Sequence, residues 1–133
     1  MPPPITLPNH DTDMPKRTAS FSFRPLLRLA FLLALAAAFW LALMPVPEMV
    51  RLLDWQDKIE HALLFAALAL LGLAAWPAQP LRVAGGLLLY GVTMELAQSM
   101  TAYRYGDPLD WLADAVGVAA VTAFVLLRRR KRR

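Results

Sequence analysis

Eight polar residues carry the chemistry of this chain: Asp57, Lys58, His61, Glu95, Gln98, Arg104, Asp110 and Asp114. Asp57 and His61 stand four apart and share one face of a helix, where a carboxylate can fix the tautomer of an imidazole. Lys58 beside them serves as a cationic ligand group or as an interfacial anchor. Glu95 and Gln98, three apart, offer an acid and an amide on one face. Arg104 sits between Tyr103 and Tyr105, and its planar fork suits a carboxylate or a phosphate. Asp107, Asp110, Asp114 and Gly117 are spaced so as to form one continuous helical stripe. Capping and the helix dipole account for Asp107, and for Asp110 at the start of a helix, without any function. They do not account for Asp114, a turn deeper. With His61 as general base, Asp57 as its orienter, Arg104 facing developing negative charge and Glu95 or Asp110 as acid, the set suffices for phosphoryl or acyl hydrolysis. There is no Ser nucleophile motif and no His-Glu-x-x-His. Cysteine is absent, which removes thiolate chemistry and disulfides. No cofactor or metal is expected, and no paired-His spacing is present; a minor alternative is a hard divalent cation among Glu95, Asp110 and Asp114, whose oxygen ligands Mg or Ca would choose.

The elements that position these groups are apolar. Of 133 residues 58% are hydrophobic, with a mean hydropathy of +0.44, against about 45–50% apolar in a soluble domain. Runs at 26–46, 59–76, 83–100 and 109–127 each have the length of a membrane span, since a helix rising about 1.5 Å per residue needs about 20 residues to cross 30 Å of hydrocarbon. Their Ala and Leu content favours helix over barrel strand. The expected fold is all-α: an integral membrane bundle of four transmembrane helices. Successive spans run antiparallel, so the polar start of the second, the polar end of the third and the polar start of the fourth converge. An ionisable side chain inside a span costs about 2.5–3.5 kcal/mol on insertion scales, so groups gathered at one depth need mutual partners or water. Gly117, with Gly85 and Gly86, is expected to let helices approach closely.

Eleven of the fourteen Lys and Arg residues lie in the two tails, at the start of the first run and in the 77–82 turn: Lys16, Arg17, Arg24, Arg28, Arg82 and the run 128–133. With both termini cytoplasmic these all fall inside, which satisfies the positive-inside rule. Residues 1–24 read as a disordered cytoplasmic tail, 25–127 as the membrane domain and 128–133 as a basic cytoplasmic tail. The first run is expected to remain as a span, because its polar leader is long and no clear Ala-x-Ala site follows it. Residues 48–56 read as a short amphipathic linker on the outer surface. Trp40, Trp55, Tyr103, Tyr105 and Trp111 are expected to form an aromatic belt there, with Trp76 at the inner boundary. The basic excess marks juxtamembrane attraction to anionic lipid, not nucleic acid. Without an internal repeat or broken-helix pairs, alternating access within one chain is not indicated.

The order Asp57-Lys58-x-x-His61, Glu95-x-x-Gln98, Arg104, Asp110-x-x-x-Asp114-x-x-Gly117 resembles the VanZ-like family of small bacterial membrane proteins, over about residues 45–125. The resemblance implies a multi-span protein of the bacterial cytoplasmic membrane, in a family whose namesake is associated with low-level resistance to teicoplanin. Two positions depart from the family pattern: Asp114 stands where Asn is common, and Val121 where a second small residue often follows Gly117. Three functions compete. An outward-facing polar pocket binds or modulates access to a lipid-linked or glycopeptide ligand; an intramembrane enzyme acts on lipid-linked envelope substrates; or the charges form a salt-bridge cap that orients the helices. The expected partners are membrane lipids and such a ligand, with homo-oligomerisation left open.

Overall fold

The computed structural model describes residues 1, 22–45, 55–103 and 106–132. The expectations for the polar leader, the amphipathic linker, Arg104 and Tyr105 therefore fall wholly or mainly outside the described residues. The described residues form four α-helices and no strand: α1 (Arg24–Ala42), α2 (Gln56–Ala75), α3 (Pro80–Ser99) and α4 (Pro108–Arg130). Proline marks the first turn of α1, α3 and α4, where its missing N–H costs no helical hydrogen bond. Asp107 caps α4, its carboxylate accepting from Leu109 N at 2.9 Å, as the sequence suggested.

Three helices, α1, α2 and α4, are long and apolar enough to cross a membrane, and the chain has the character of a membrane protein. Helix α3 matches α2 at 20 residues but is less apolar, because Arg82, Tyr90, Thr93, Glu95, Gln98 and Ser99 interrupt its leucines. The distribution of leucine is inverted relative to a soluble protein. Leu29, Leu33, Leu63, Leu70, Leu89, Leu112 and Phe124 all face outward, while Asp114 and Gln98 are buried. Contiguous exposed apolar surface on this scale is what lipid, not water, accommodates.

The helices alternate in direction. At one end, His61 near the start of α2 meets Asp114 near the start of α4, and Gln98 near the end of α3 donates to the carbonyl of Ala42 at the end of α1. At the other, Phe31 of α1 packs edge-on against Trp76 after α2, Arg28 lies 5.4 Å from the same ring, and Arg129 of α4 donates to the Pro77 carbonyl. One end is thus rich in carboxylates and the other in guanidinium groups.

The tightest packing is between α2 and α4, which run parallel. A small core of Ala38, Phe65, Leu68, Ala69, Leu87, Met94 and Val118 sits at the centre. Gly117 rests on the α2 backbone: a Cβ there would overlap the carbonyl oxygen of Ala62 and come within 3.0 Å of Ala66 N. Val121, where the family pattern often has a second small residue, argues against a tight Gly-x-x-x-Gly contact; the close approach at Gly117 forms nonetheless, with Ala62 and Ala66 as the small residues facing it. Gly85 and Gly86 do not act as expected. A Cβ at either position meets nothing within 4 Å, because that face of α3 points outward.

The contrast is testable by thermal unfolding in detergent. Gly117→Leu is expected to lower stability by about 3 kcal/mol, the upper end of overpacking costs. Gly85→Ala is expected to be neutral or to stabilise by up to about 1 kcal/mol through helix propensity.

Candidate functional site: a two-layer polar cluster

The convergence of α2, α3 and α4 at the carboxylate-rich end builds a cluster in two layers. The inner layer is His61, Glu95 and Asp114. His61 Nδ1 and Asp114 Oδ1 are 2.9 Å apart, and Nδ1 lies 4.0 Å from Glu95 Oε1. Asp114 is fully enclosed, with a side-chain exposure of 0%, and His61 and Glu95 retain only 11% and 12%. Two oxygens of this layer, Glu95 Oε1 and Asp114 Oδ2, are buried without a hydrogen-bond partner. Buried polar atoms are ordinarily satisfied, so each marks a site of stored electrostatic demand.

The outer layer is Lys58, Asp107 and Asp110. The Lys58 ammonium donates to Asp107 Oδ2 at 2.8 Å and to Asp110 Oδ1 at 3.1 Å. Asp107 joins the two layers, because its backbone N–H donates to Glu95 Oε2 at 2.9 Å. This bond fixes one carboxylate oxygen of Glu95 and leaves the other facing the histidine. Asp107 is thereby an organiser as well as a cap, a role that spacing alone did not reveal.

Local sequence explains why these side chains meet. Asp110 and Asp114 are four apart on α4, and Lys58 and His61 three apart on α2, so two rungs of a parallel helix pair face one another. Gly117, one turn beyond Asp114, sets the separation. From α3, Gly91 lies one turn before Glu95 and is the glycine this site requires. A Cβ on it would fall 2.8 Å from Asp114 Oδ2 and 3.2 Å from the Trp111 ring. Trp111 in turn donates its indole N–H to the Leu88 carbonyl at 3.1 Å, which holds α4 against α3.

The expected residues are partly regrouped. His61, Glu95, Asp110 and Asp114 come together as the alternation of helices requires. The carboxylate at His61 Nδ1, however, is that of Asp114 and not of Asp57. Lys58 is bonded to two aspartates, so it stands inside the cluster and does not project as a surface anchor. Gln98 points the other way, donating its amide to Ala42 O at 3.1 Å; it ties α3 to α1. Arg104 lies outside the described residues. Tyr103 is exposed and donates to Leu43 O at 2.7 Å, which anchors the α3–α4 connection to the end of α1. The cation arrangement considered from sequence also changes, since Asp110 is taken up by Lys58 and His61 occupies the corresponding place beside Glu95 and Asp114.

With Nδ1 protonated and donating to Asp114, Nε2 of His61 is left as the basic nitrogen. The inner layer can therefore hold or move a proton, or donate ligands to a cation. Beside it, between α3 and α4, runs a groove of about 300 Å³ lined by Val92, Glu95, Leu96, Ser99, Gly106, Pro108 and Trp111. Its walls are apolar apart from Glu95 and Ser99, which suits an acyl chain ending in a polar head. Searches of protein-family models, curated proteins and solved structures gave no match to this chain.

The outer layer predicts an acid response. The Lys58 hydrogen bond, followed by that from Leu109 N, holds the Asp107 carboxyl below its ordinary value of 3.8. A depressed folded-state pKa contributes stability that is present above the ordinary value and is lost as pH falls through the folded one. Below about pH 4, the thermal midpoint of the native protein should therefore decline more steeply than that of Asp107→Asn, which keeps the cap but not the charge. Parallel declines would show that the Lys58–Asp107 pair contributes nothing.

Proposed function

We propose that the chain is a VanZ-like protein of the bacterial cytoplasmic membrane whose carboxylate-rich end binds the polar head of an envelope lipid or of a lipophilic, teicoplanin-type glycopeptide, and so modulates access to it. On this reading all four helices span the bilayer. Both termini are cytoplasmic and the cluster faces outward. The equal lengths of α2 and α3, the alternating helix directions and the gathering of Arg28, Arg82, Arg128, Arg129 and Arg130 at the opposite end support that placement.

The observation that carries the ligand reading is Glu95 in the wall of an apolar groove open between α3 and α4. A tail of hydrocarbon fits the groove, and the Glu95 carboxylate with the Ser99 hydroxyl meets hydroxyl or amide groups of the head. Lys58 is not offered to an anionic group here, because both aspartates already hold it. The His61–Asp114 contact favours a second reading, an intramembrane enzyme on lipid-linked envelope substrates with His61 Nε2 as base. The Lys58 ion pairs favour a third, a structural cap.

One series of variants separates the three. Glu95→Gln and Ser99→Phe, the latter filling the groove, are expected to leave abundance intact and to weaken retention of co-purifying lipid about tenfold, as loss of one charge-assisted hydrogen bond would. In a deletion strain they should fail to restore the native pattern of teicoplanin and detergent susceptibility. Normal lipid retention with loss of the phenotype only in His61→Ala would favour the enzyme. A fall in abundance for Glu95→Gln would favour the cap.

A further inference from the structure

Lys58 is the only cation bonded to the cluster among the described residues, and it is committed to Asp107 and Asp110. Nothing in that pairing neutralises Glu95 and Asp114, whose side chains are almost or wholly enclosed. Two carboxylates and an imidazole in a low-dielectric setting are compensated either by added protons or by a bound cation, because an unpaired buried ion costs several kcal/mol. Glu95 Oε1, buried without a hydrogen-bond partner and 4.0 Å from His61 Nδ1, is the clearest sign of that demand, and Asp114 Oδ2 is a second. The latter belongs to a side chain with no exposure, has no hydrogen-bond partner and is directed at Gly91, on the same face of α3 as Glu95.

One donor atom from each of His61, Glu95 and Asp114 lies within 4.8 Å of the other two. Two ligands bound to a single ion by bonds of about 2.1 Å stand about 3 Å apart at right angles and about 4.2 Å apart in line. The separations of Nδ1 from Asp114 Oδ1, 2.9 Å, and from Glu95 Oε1, 4.0 Å, are compatible with that span, the first close to a right angle and the second more open but short of in line. We propose that His61, Glu95 and Asp114 form a binding site for one divalent transition-metal ion of the manganese-to-zinc range. One imidazole and two carboxylates make a mixed donor set, softer than the all-oxygen shell that Mg or Ca prefers. The ion takes the place of the proton shared between Nδ1 and Asp114 and leaves coordination positions for water or for a polar head. Asp107, through its N–H to Glu95 Oε2, is the outer-shell partner that orients the glutamate. The site stands whether or not the neighbouring groove holds a lipid.

The chain has two histidines, His10 and His61, which makes the test direct. The full chain carrying His10→Ala, purified in detergent, stripped with chelator and titrated with Mn2+ or Co2+ alone, should bind one ion per chain. Pulsed electron paramagnetic resonance of the Mn2+ form should show nitrogen coupling from a single imidazole, which can only be His61. Asp114→Asn, Glu95→Gln and His61→Ala should each weaken binding by more than the roughly 10- to 100-fold that loss of an outer-shell partner costs. Because the imidazole coupling is read with the site intact, it decides the matter even where a variant fails to fold. Absence of stoichiometric binding, or binding without imidazole coupling, overturns the proposal. Lipid retention in the same preparation is read separately, so failure of either reading does not count as failure of the other.

Discussion

The contact between the backbones of α2 and α4 at Gly117 is the constraint on which the rest of the molecule depends. His61 directly precedes Ala62, whose carbonyl Gly117 touches, and Asp114 lies one turn before Gly117 on the facing helix. Separating the two helices by the width of one side chain would move the imidazole and the carboxylate beyond hydrogen-bonding reach. Both would then remain inside an apolar bundle without a partner, which is costlier than never having buried them. Packing and chemistry are one feature here, since the residue that sets the helix distance also makes the buried acid tolerable.

The same logic orders the cluster from inside to outside. Asp114 is sealed, His61 and Glu95 are nearly so, and Lys58 with its two aspartates remains open enough to be solvated. The outer ion pairs are therefore weak as sources of stability. Their larger effect is positional: Asp107 holds Glu95 by its backbone N–H while Lys58 holds Asp107. A string of hydrogen bonds thus runs from the surface to the wall of the groove, and it crosses all three helices that meet there.

Much of this arrangement was legible in the sequence, for identifiable reasons. Apolar runs of membrane-span length located the helices, and chain reversal dictated that His61, Glu95, Asp110 and Asp114 would share one end. Spacing could not rank two carboxylates competing for one imidazole. Asp57 is adjacent to His61 along the helix, but the bond to Asp114 depends on an interhelical distance that no local pattern encodes. The glycines show the same divide. Gly85 and Gly86 look like packing residues because they adjoin, yet they face outward. Gly91 carries only one local signal, its place one turn before Glu95. Helix α3 has the leucines of its neighbours, but Tyr90 and Gln98 serve α1 and Glu95 the cluster, while Arg82, Thr93 and Ser99 are exposed, so an apolar run of span length does not by itself reveal its lower hydropathy.

The two most intimately packed helices are not neighbours along the chain. His61 and its carboxylate partner are separated by 53 residues, and an entire helix of opposite direction lies between them. At a synthesis rate of about 5–20 residues per second, the ribosome delivers the aspartate roughly 3–10 s after the histidine. Over that interval α2 and α3 exist as a hairpin holding an incomplete set of polar groups, and the inner layer closes only when the last helix arrives. Assembly of the bundle and completion of its polar centre are therefore the same late event. A chain stalled before α4 would present the quality-control machinery with His61 and Glu95 uncovered.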